Sequence, residues 1–307
     1  MRQLVVIAAF LFSVSALAEM TIMSYNVENF FNPAVDSLNP DREYTPNGSR
    51  HWSLKRFHRK AEQLASVIAA SVPDGYPDIV ALNEVEDAEC LARLCRKMPH
   101  YQYRFIHFDS PDHRGIDVAM LYDSVRLKPL TVRPITVSLP EVATRDILYA
   151  SFVVDRRDTL HVFACHLPSQ LGGSKASQWK RDSVKSLLLH HTDSILNLFP
   201  AANIVICGDM NMSPKDDLPN LHNLMLSLDS SDMGSHKYRG SWTYLDQFYV
   251  SDSLLPVSSA DLFAASWLLE EDKPHLSVRP KRTFAGFKYV VNGYSDHLPI
   301  MLKIRKF

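Results

Sequence analysis

The stretch "NIVICGDMNMSP", Asn203 to Pro214, begins as an apolar run and ends in Gly-Asp-Met-Asn. Its apolar part, Ile204 to Cys207, reads as a buried strand that stops at Gly208 and delivers Asp209 and Asn211 to the rim of a sheet. Side chains two apart on a strand point the same way, so acid and amide would share one side. An ordinary turn in which Asp and Asn bond their own backbone is the competing local reading. What separates the two is whether other strands end in the same manner.

They do. "SYNV" places Asn26 at the end of a first strand, Thr21 to Val27, and "ALNEVE" places Glu84 at the end of a second, Asp78 to Val85. "GIDVAMLYD" carries Asp117, "FACHLPSQ" carries His166 and "YLDQFYV" carries Asp246. "YSDHLPIML" sets Asp296 and His297 just before a last strand. One such residue is usually a satisfied core or edge group. Repetition is harder to explain, because each unpaired buried carboxylate costs on the order of several kcal/mol. Converging on one centre, these groups can satisfy one another and a cation.

Between the strands, Leu54, Phe57, Ala61, Leu64 and Ile68 recur at steps of three and four, which predicts an amphipathic helix from about Ser53 to Ala70. The charged run "KRFHRK", Lys55 to Lys60, is assigned to its solvated outer face. A second helix is expected over Asp87 to Lys97, a long third over Ser177 to Leu198, and several consecutive strands over Tyr101 to Val154. Asp252 to Arg282 stays open between strand and short helix. Neither repeats nor a Gly/Ser-rich linker interrupt the chain. Strands with a few helices between them predict one α/β domain on packed sheets, covering residues 19–307.

Residues 1–18 read as a signal peptide, with Arg2, an apolar core from Leu4 to Val14, and Ala16-Leu17-Ala18 before Glu19. The run is too short for a stable membrane span. The expectation is a secreted or periplasmic protein with no stable membrane insertion. Cys90 and Cys95 lie five apart in the second helix, while Cys165 and Cys207 sit in apolar strands, a spacing that argues against an easy bridge. Zinc-ligand spacing is absent. A net charge of −1 does not recommend a protein held on long nucleic acid by phosphate contacts alone. No protein partner is indicated.

Carboxylates and amides are hard oxygen ligands that suit Mg²⁺, Mn²⁺ or Ca²⁺. Two histidines, each with an Asp candidate, suit proton transfer and stabilisation of a charged transition state. With no Ser or Cys nucleophile motif, metal-assisted attack of water on phosphorus fits best.

The ordered set "YNVENFF", "ALNEVE", "GIDVAMLYD", "CHLPSQLGG", "GDMNMSP", "WTYLDQFYVS" and "YSDHLPIML" resembles the endonuclease/exonuclease/phosphatase superfamily, of deoxyribonuclease I-like fold. The resemblance implies a four-layered α/β sandwich, two packed and mostly antiparallel sheets flanked by helices. It implies Glu84 as the main metal ligand, with Asn26 and Asp296 close to the ion. Asp209 and Asn211 would orient or deprotonate the attacking water and hold phosphate. His297, partnered by Asp246, would steady the pentavalent phosphate, and His166 would assist the leaving group. Asp117 is the candidate to orient His166, and Arg145 in "TRDILYASF" resembles a strand-start arginine that contacts phosphate.

Two departures stand out: Cys165 where many relatives carry Asn, and an unmatched stretch from Lys215 to Ser241. Trp52, Tyr238 and Trp242 are assigned to packing rather than to stacking on a base, and His190-His191 to the exposed face of a helix. The expected function is an exported phosphodiesterase of nuclease type acting on a phosphate ester, nucleic acid or nucleotide among them. A phosphatase of small soluble or lipid-head-group phosphates is the alternative, and a non-catalytic binding module on the same fold a remote one.

Overall fold

Along each central strand the apolar residues alternate between two environments, and that alternation builds the layers. The computed structural model describes residues 19–34, 43–73, 75–99, 101–170, 172–216, 218–229 and 232–305; the expected signal peptide lies outside them. One sheet runs in the order β13 (Ser258–Leu262), β18 (Ile300–Ile304), β1 (Met20–Phe30), β2 (Ile79–Val85), β4 (Asp117–Asp123), β3 (Tyr103–His107). The other runs β5 (Leu127–Ile135), β6 (Ile147–Val154), β7 (Asp158–His166), β8 (Asn203–Asp209), β12 (Asp246–Val250), β9 (His222–Asn223). Short hairpins pair β10 (His236–Tyr238) with β11 (Ser241–Thr243), β14 (Leu269–Asp272) with β15 (Ser277–Pro280), and β16 (Phe284–Ala285) with β17 (Lys288–Tyr289).

Each large sheet is antiparallel except at one pairing, β1 with β2 and β7 with β8. Parallel neighbours need a crossover. α1 (Leu54–Ala70) and α3 (Ser174–Leu198) supply the two, and α2 (Ala88–Arg96) follows β2. Ile22, Ala81, Met120, Val162, Val205 and Phe248 fill the layer between the sheets. Met23, Tyr25, Val80 and Leu82 face outward against Phe57, Leu64 and Ile68 of α1 and Leu91 of α2. Phe163, Ile204 and Ile206 face outward against Val184 and Leu188 of α3. The result is the expected four layers.

Local details follow the sequence with three adjustments. Ser53 caps α1 and Asp87 caps α2, each side chain accepting a first-turn N–H. α3 starts at Ser174, three residues earlier than its pattern suggests. The open segment divides: β13 ends at Leu262, a 3₁₀ turn takes Ser266–Leu268, and the β14–β15 hairpin follows. Lys60 is a correction. It is fully buried rather than solvated, because the step of three from Phe57 sets it on the apolar stripe of α1. All four cysteines are free; Cys165 and Cys207, in neighbouring strands, belong to opposite faces of their sheet. Trp52 is a packing residue whose indole N–H bonds the carbonyl of Phe31 at 2.8 Å. Tyr238 is exposed and Trp242 half-buried, each with a cationic side chain against its ring.

Candidate active site

The apolar inner layer ends in polar residues at one rim of both sheets. Asn26 continues the inward series of Met20 and Ile22, and Asp209 that of Val205 and Cys207. His166 continues Val162 and Ala164, and Asp246 precedes Phe248 and Val250 with the same parity. Register aligns them across strands, since His166 and Asp246 are both direct neighbours of Asp209. Glu84 has the wrong parity for this side. It takes φ +68° where the β2–β4 register slips, so the strand end is re-aimed there.

Gly208 is what lets β8 end this way. At φ +138°, a Cβ built on it would lie 1.8 Å from the carbonyl oxygen of Cys165. The next residue, Asp209, is the hub. Its Oδ1 accepts the Asn211 N–H at 3.0 Å, so the local turn is real. Its Oδ2 accepts from the Asn26 amide at 3.1 Å and lies 3.6 Å from His166 Nε2 and 3.8 Å from His297 Nε2. Asn211, at φ +50°, donates its side-chain amide to the carbonyl of Leu167 at 3.0 Å, directly after His166. Turn and site are one object.

The two histidines carry opposite charge tendencies. His297 Nδ1 lies 2.7 Å from Asp246 Oδ2. Burial opposes protonation there, but Asp246, Asp209 and Asp296 together raise the imidazole well above its ordinary value. His166 is held well below its ordinary value by burial, with Arg145, Arg114 and His297 adding to it. Among the described residues its Nδ1 has no hydrogen-bond partner. Burial, and then Asp246, push the Asp209 carboxyl up to about 6 against the pull of His297. A histidine pushed toward its neutral form and one pushed toward its charged form thus flank a carboxyl raised to about 6.

On the other side lie Glu84, Asn26 and Asp296. Glu84 Oε2 accepts the Asn29 N–H at 2.9 Å. Asn26 Oδ1 accepts the Glu28 N–H at 3.0 Å and keeps a second lone pair. Among the described residues no hydrogen bond engages the Asp296 carboxylate. It is instead held below its ordinary value, against burial, by His297, His236, Arg282 and Lys60. An all-oxygen donor set with an unbonded carboxylate fits a hard divalent cation. Beneath it, Lys60 Nζ donates to Thr283 Oγ1 at 2.5 Å and to the carbonyl of Tyr294. Burial lowers this ammonium to about 8, and Glu28, Asp296 and Glu84 keep it from falling further. Glu28 accepts the N–H groups of Thr283 and Phe284.

Two expected roles change. Asp117 follows the outward parity of Ala119 and Leu121, and its partners are Ser110 and His107, the latter at 3.2 Å. It therefore does not orient His166, which belongs to the inward set. Arg145 is buried; Nη1 donates to Asp112 at 2.8 Å and Nη2 to the Leu167 carbonyl at 3.0 Å, while Nε has no hydrogen-bond partner among the described residues.

Four residues join the site without having been singled out. Asn83 clips the two sheets together, donating to the carbonyl of Cys165 at 2.8 Å and accepting the Asp209 N–H at 3.1 Å. The polar pair Asn83-Glu84 inside an apolar run was its visible signal. Ser295 donates to the carbonyl of Asn26 at 2.7 Å and accepts the His297 N–H at 3.1 Å, tying the last loop to β1. His236, on β10, packs its ring 4.7 Å from that of His297, and burial and His297 lower it to about 4. Arg114 reaches Glu84 Oε1 at 3.3 Å. His236 lies in the unmatched stretch, and neither it nor Arg114 belongs to a spacing pattern.

The model of the endonuclease/exonuclease/phosphatase family matches residues 21–306. No curated protein matches the sequence significantly. Solved structures match over nearly the whole chain at low identity. D. rerio TDP2 complexed with a single-strand DNA product is 17% identical at TM-score 0.59, covering 93% of this chain and 98% of that one. The human nocturnin catalytic domain with bound sulfate is 18% identical at TM-score 0.56, covering 93% of each chain. A mannosyl-6-phosphatase of Bacteroides thetaiotaomicron is 15% identical at TM-score 0.56, covering 92% of this chain and 98% of that one. At such identities the structures speak for the fold, and the family match for the chemistry. The chain belongs to the endonuclease/exonuclease/phosphatase family and is a phosphoester hydrolase of that family.

Proposed function

We propose that the protein is an exported, divalent-metal-dependent phosphodiesterase of nuclease type. The observation that carries this is the pair of histidines on one carboxylate, His166 at 3.6 Å and His297 at 3.8 Å from Asp209 Oδ2. Asp209, ionised at neutral pH, accepts the proton of the attacking water. His297, held protonated by Asp246, steadies the charge that builds on the phosphoryl oxygens. His166, neutral and donating from one ring nitrogen, serves the alkoxide that leaves. An alkoxide is a poor leaving group, and this second imidazole is placed to assist its departure. A divalent ion held by Glu84, Asn26 and Asp296 would supply Lewis acidity toward the phosphate. Export is supported by the basic, apolar and small-residue order of residues 1–18.

One observation favours a phosphatase of small phosphates as the second reading: a net charge of −1 gives little purchase on a long polyanion. A panel of plasmid DNA, RNA, bis-p-nitrophenyl phosphate and p-nitrophenyl phosphate, with Mn²⁺ or Mg²⁺, separates the two. Cleavage of nucleic acid or the diester is expected, with His166→Ala slower by at least about a hundredfold. Hydrolysis of the monoester alone would reject the diesterase and install the phosphatase.

A further inference from the structure

Arg114 sits in a turn that the protein fixes from three directions. Asp112 Oδ1 accepts the Arg114 N–H at 2.9 Å, and the Asp112 carbonyl accepts the Gly115 N–H at 2.9 Å. Asp112 Oδ2 accepts from Arg145 at 2.8 Å, and this carboxylate is almost fully buried. The backbone of Arg114 is therefore held in a fixed relation to Arg145, while its side chain remains 39% exposed. Its Nη2 reaches Asn29 Oδ1 at 3.0 Å and Glu84 Oε1 at 3.3 Å. Toward the other half of the site, the same guanidinium adds to the depression of His166. It thus touches the carboxylate of the oxygen-donor side and acts electrostatically on the histidine side.

A substrate phosphate has to lie between those two sides. Arg145 is buried, with its guanidinium held by the ion pair to Asp112 and the Leu167 carbonyl, so a phosphate would meet only the N–H groups those bonds leave over, and only by entering a buried position. Arg114 is the more exposed partner of its pair with Glu84 and uses one nitrogen for both Glu84 and Asn29, so solvent screens the contact in part. A phosphate offers a guanidinium two oxygens in matching geometry, which is the stronger partnership. Glu84 is also the residue with least need of Arg114 once a cation neutralises it.

We propose that Arg114 binds the substrate phosphate, and that its contact with Glu84 is a resting position it leaves when that carboxylate holds a metal ion. This rests on the phosphoesterase reading and names the arginine that the reading had placed at Arg145. Arg145 becomes a positioning residue, acting through Asp112.

The test uses the full-length mature chain with Arg114→Gln and Arg114→Lys. Binding of Mn²⁺ and then of inorganic phosphate to the Mn²⁺-loaded protein is measured by calorimetry, and KM and kcat on bis-p-nitrophenyl phosphate alongside. Arg114→Gln is expected to weaken phosphate binding and raise KM by at least about tenfold, the scale of a lost charged hydrogen bond. Its Mn²⁺ binding should be unchanged or tighter, and Arg114→Lys should recover part of the phosphate affinity. Phosphate binding that ignores the substitution would overturn the proposal. So would a parallel loss of Mn²⁺ affinity, which would make Arg114 a support for Glu84. Arg114-dependent phosphate binding without hydrolysis of any ester would reject the enzymatic reading and leave Arg114 in place.

Discussion

Burial pushes both histidines toward the neutral form, and only His297 has neighbouring carboxylates that reverse it. His297 offers Nδ1 to Asp246 at 2.7 Å, whereas the buried His166 finds no partner for Nδ1 among the described residues and its ring feels two arginines. For His297 the folded-state value is raised above the unfolded one, near 6.5. Its protonation therefore contributes stability that is fully present below about pH 6.5 and is lost as pH rises through the folded value. NMR titration of the imidazole protons should find His297 still protonated, and His166 neutral, at pH 7. Asp246→Asn should bring His297 down toward or below its ordinary range. A wild-type His297 that titrates at 6.5 or lower would remove the charge assignment.

At the scale of elements, the site is a consequence of strand parity. Asn26, His166, Asp209 and Asp246 could be read as one set because each extends an apolar series of period two. The same arithmetic, applied to Ala119 and Leu121, sets Asp117 apart, and the helical step from Phe57 places Lys60 on the buried stripe. Those two were legible in the sequence but were outweighed, by the order of motifs in one case and by charge in the other. Glu84 was legible only as a motif, because a slip in register overrides parity, and slips leave no periodic trace. His236 and Arg114 reach the site through a hairpin and a turn, where no period exists to read. Gly208 gives the sharpest test at this scale. Gly208→Ala drives a Cβ into backbone at a positive φ, so the β7–β8 end cannot close without moving. Thermal unfolding should show it several kcal/mol less stable or unfolded, against about 1–2 kcal/mol for Gly172→Ala, where φ is positive but space is open. Equal melting temperatures for the two variants would contradict the tight approach.

For the whole molecule, two sheets that share one apolar layer need polar groups only where that layer stops. The layer stops where Asn26, Asn83 and Asp209 bridge one sheet to the other. Buried Lys60 and Glu28 anchor that end to the hairpin of β16 and β17 through Thr283 and Phe284. The candidate site and the fold therefore share residues, and the end that carries the site is also a clasp of the sandwich. The most direct measurement is hydrolysis of bis-p-nitrophenyl phosphate by EDTA-treated protein before and after Mn²⁺ or Mg²⁺ is restored, for wild type and for Asp209→Asn. The wild type should be inactive until metal returns, and folded Asp209→Asn should stay at least about a hundredfold slower with metal present. Hydrolysis that survives EDTA, or a folded Asp209→Asn that turns over normally, would contradict the account.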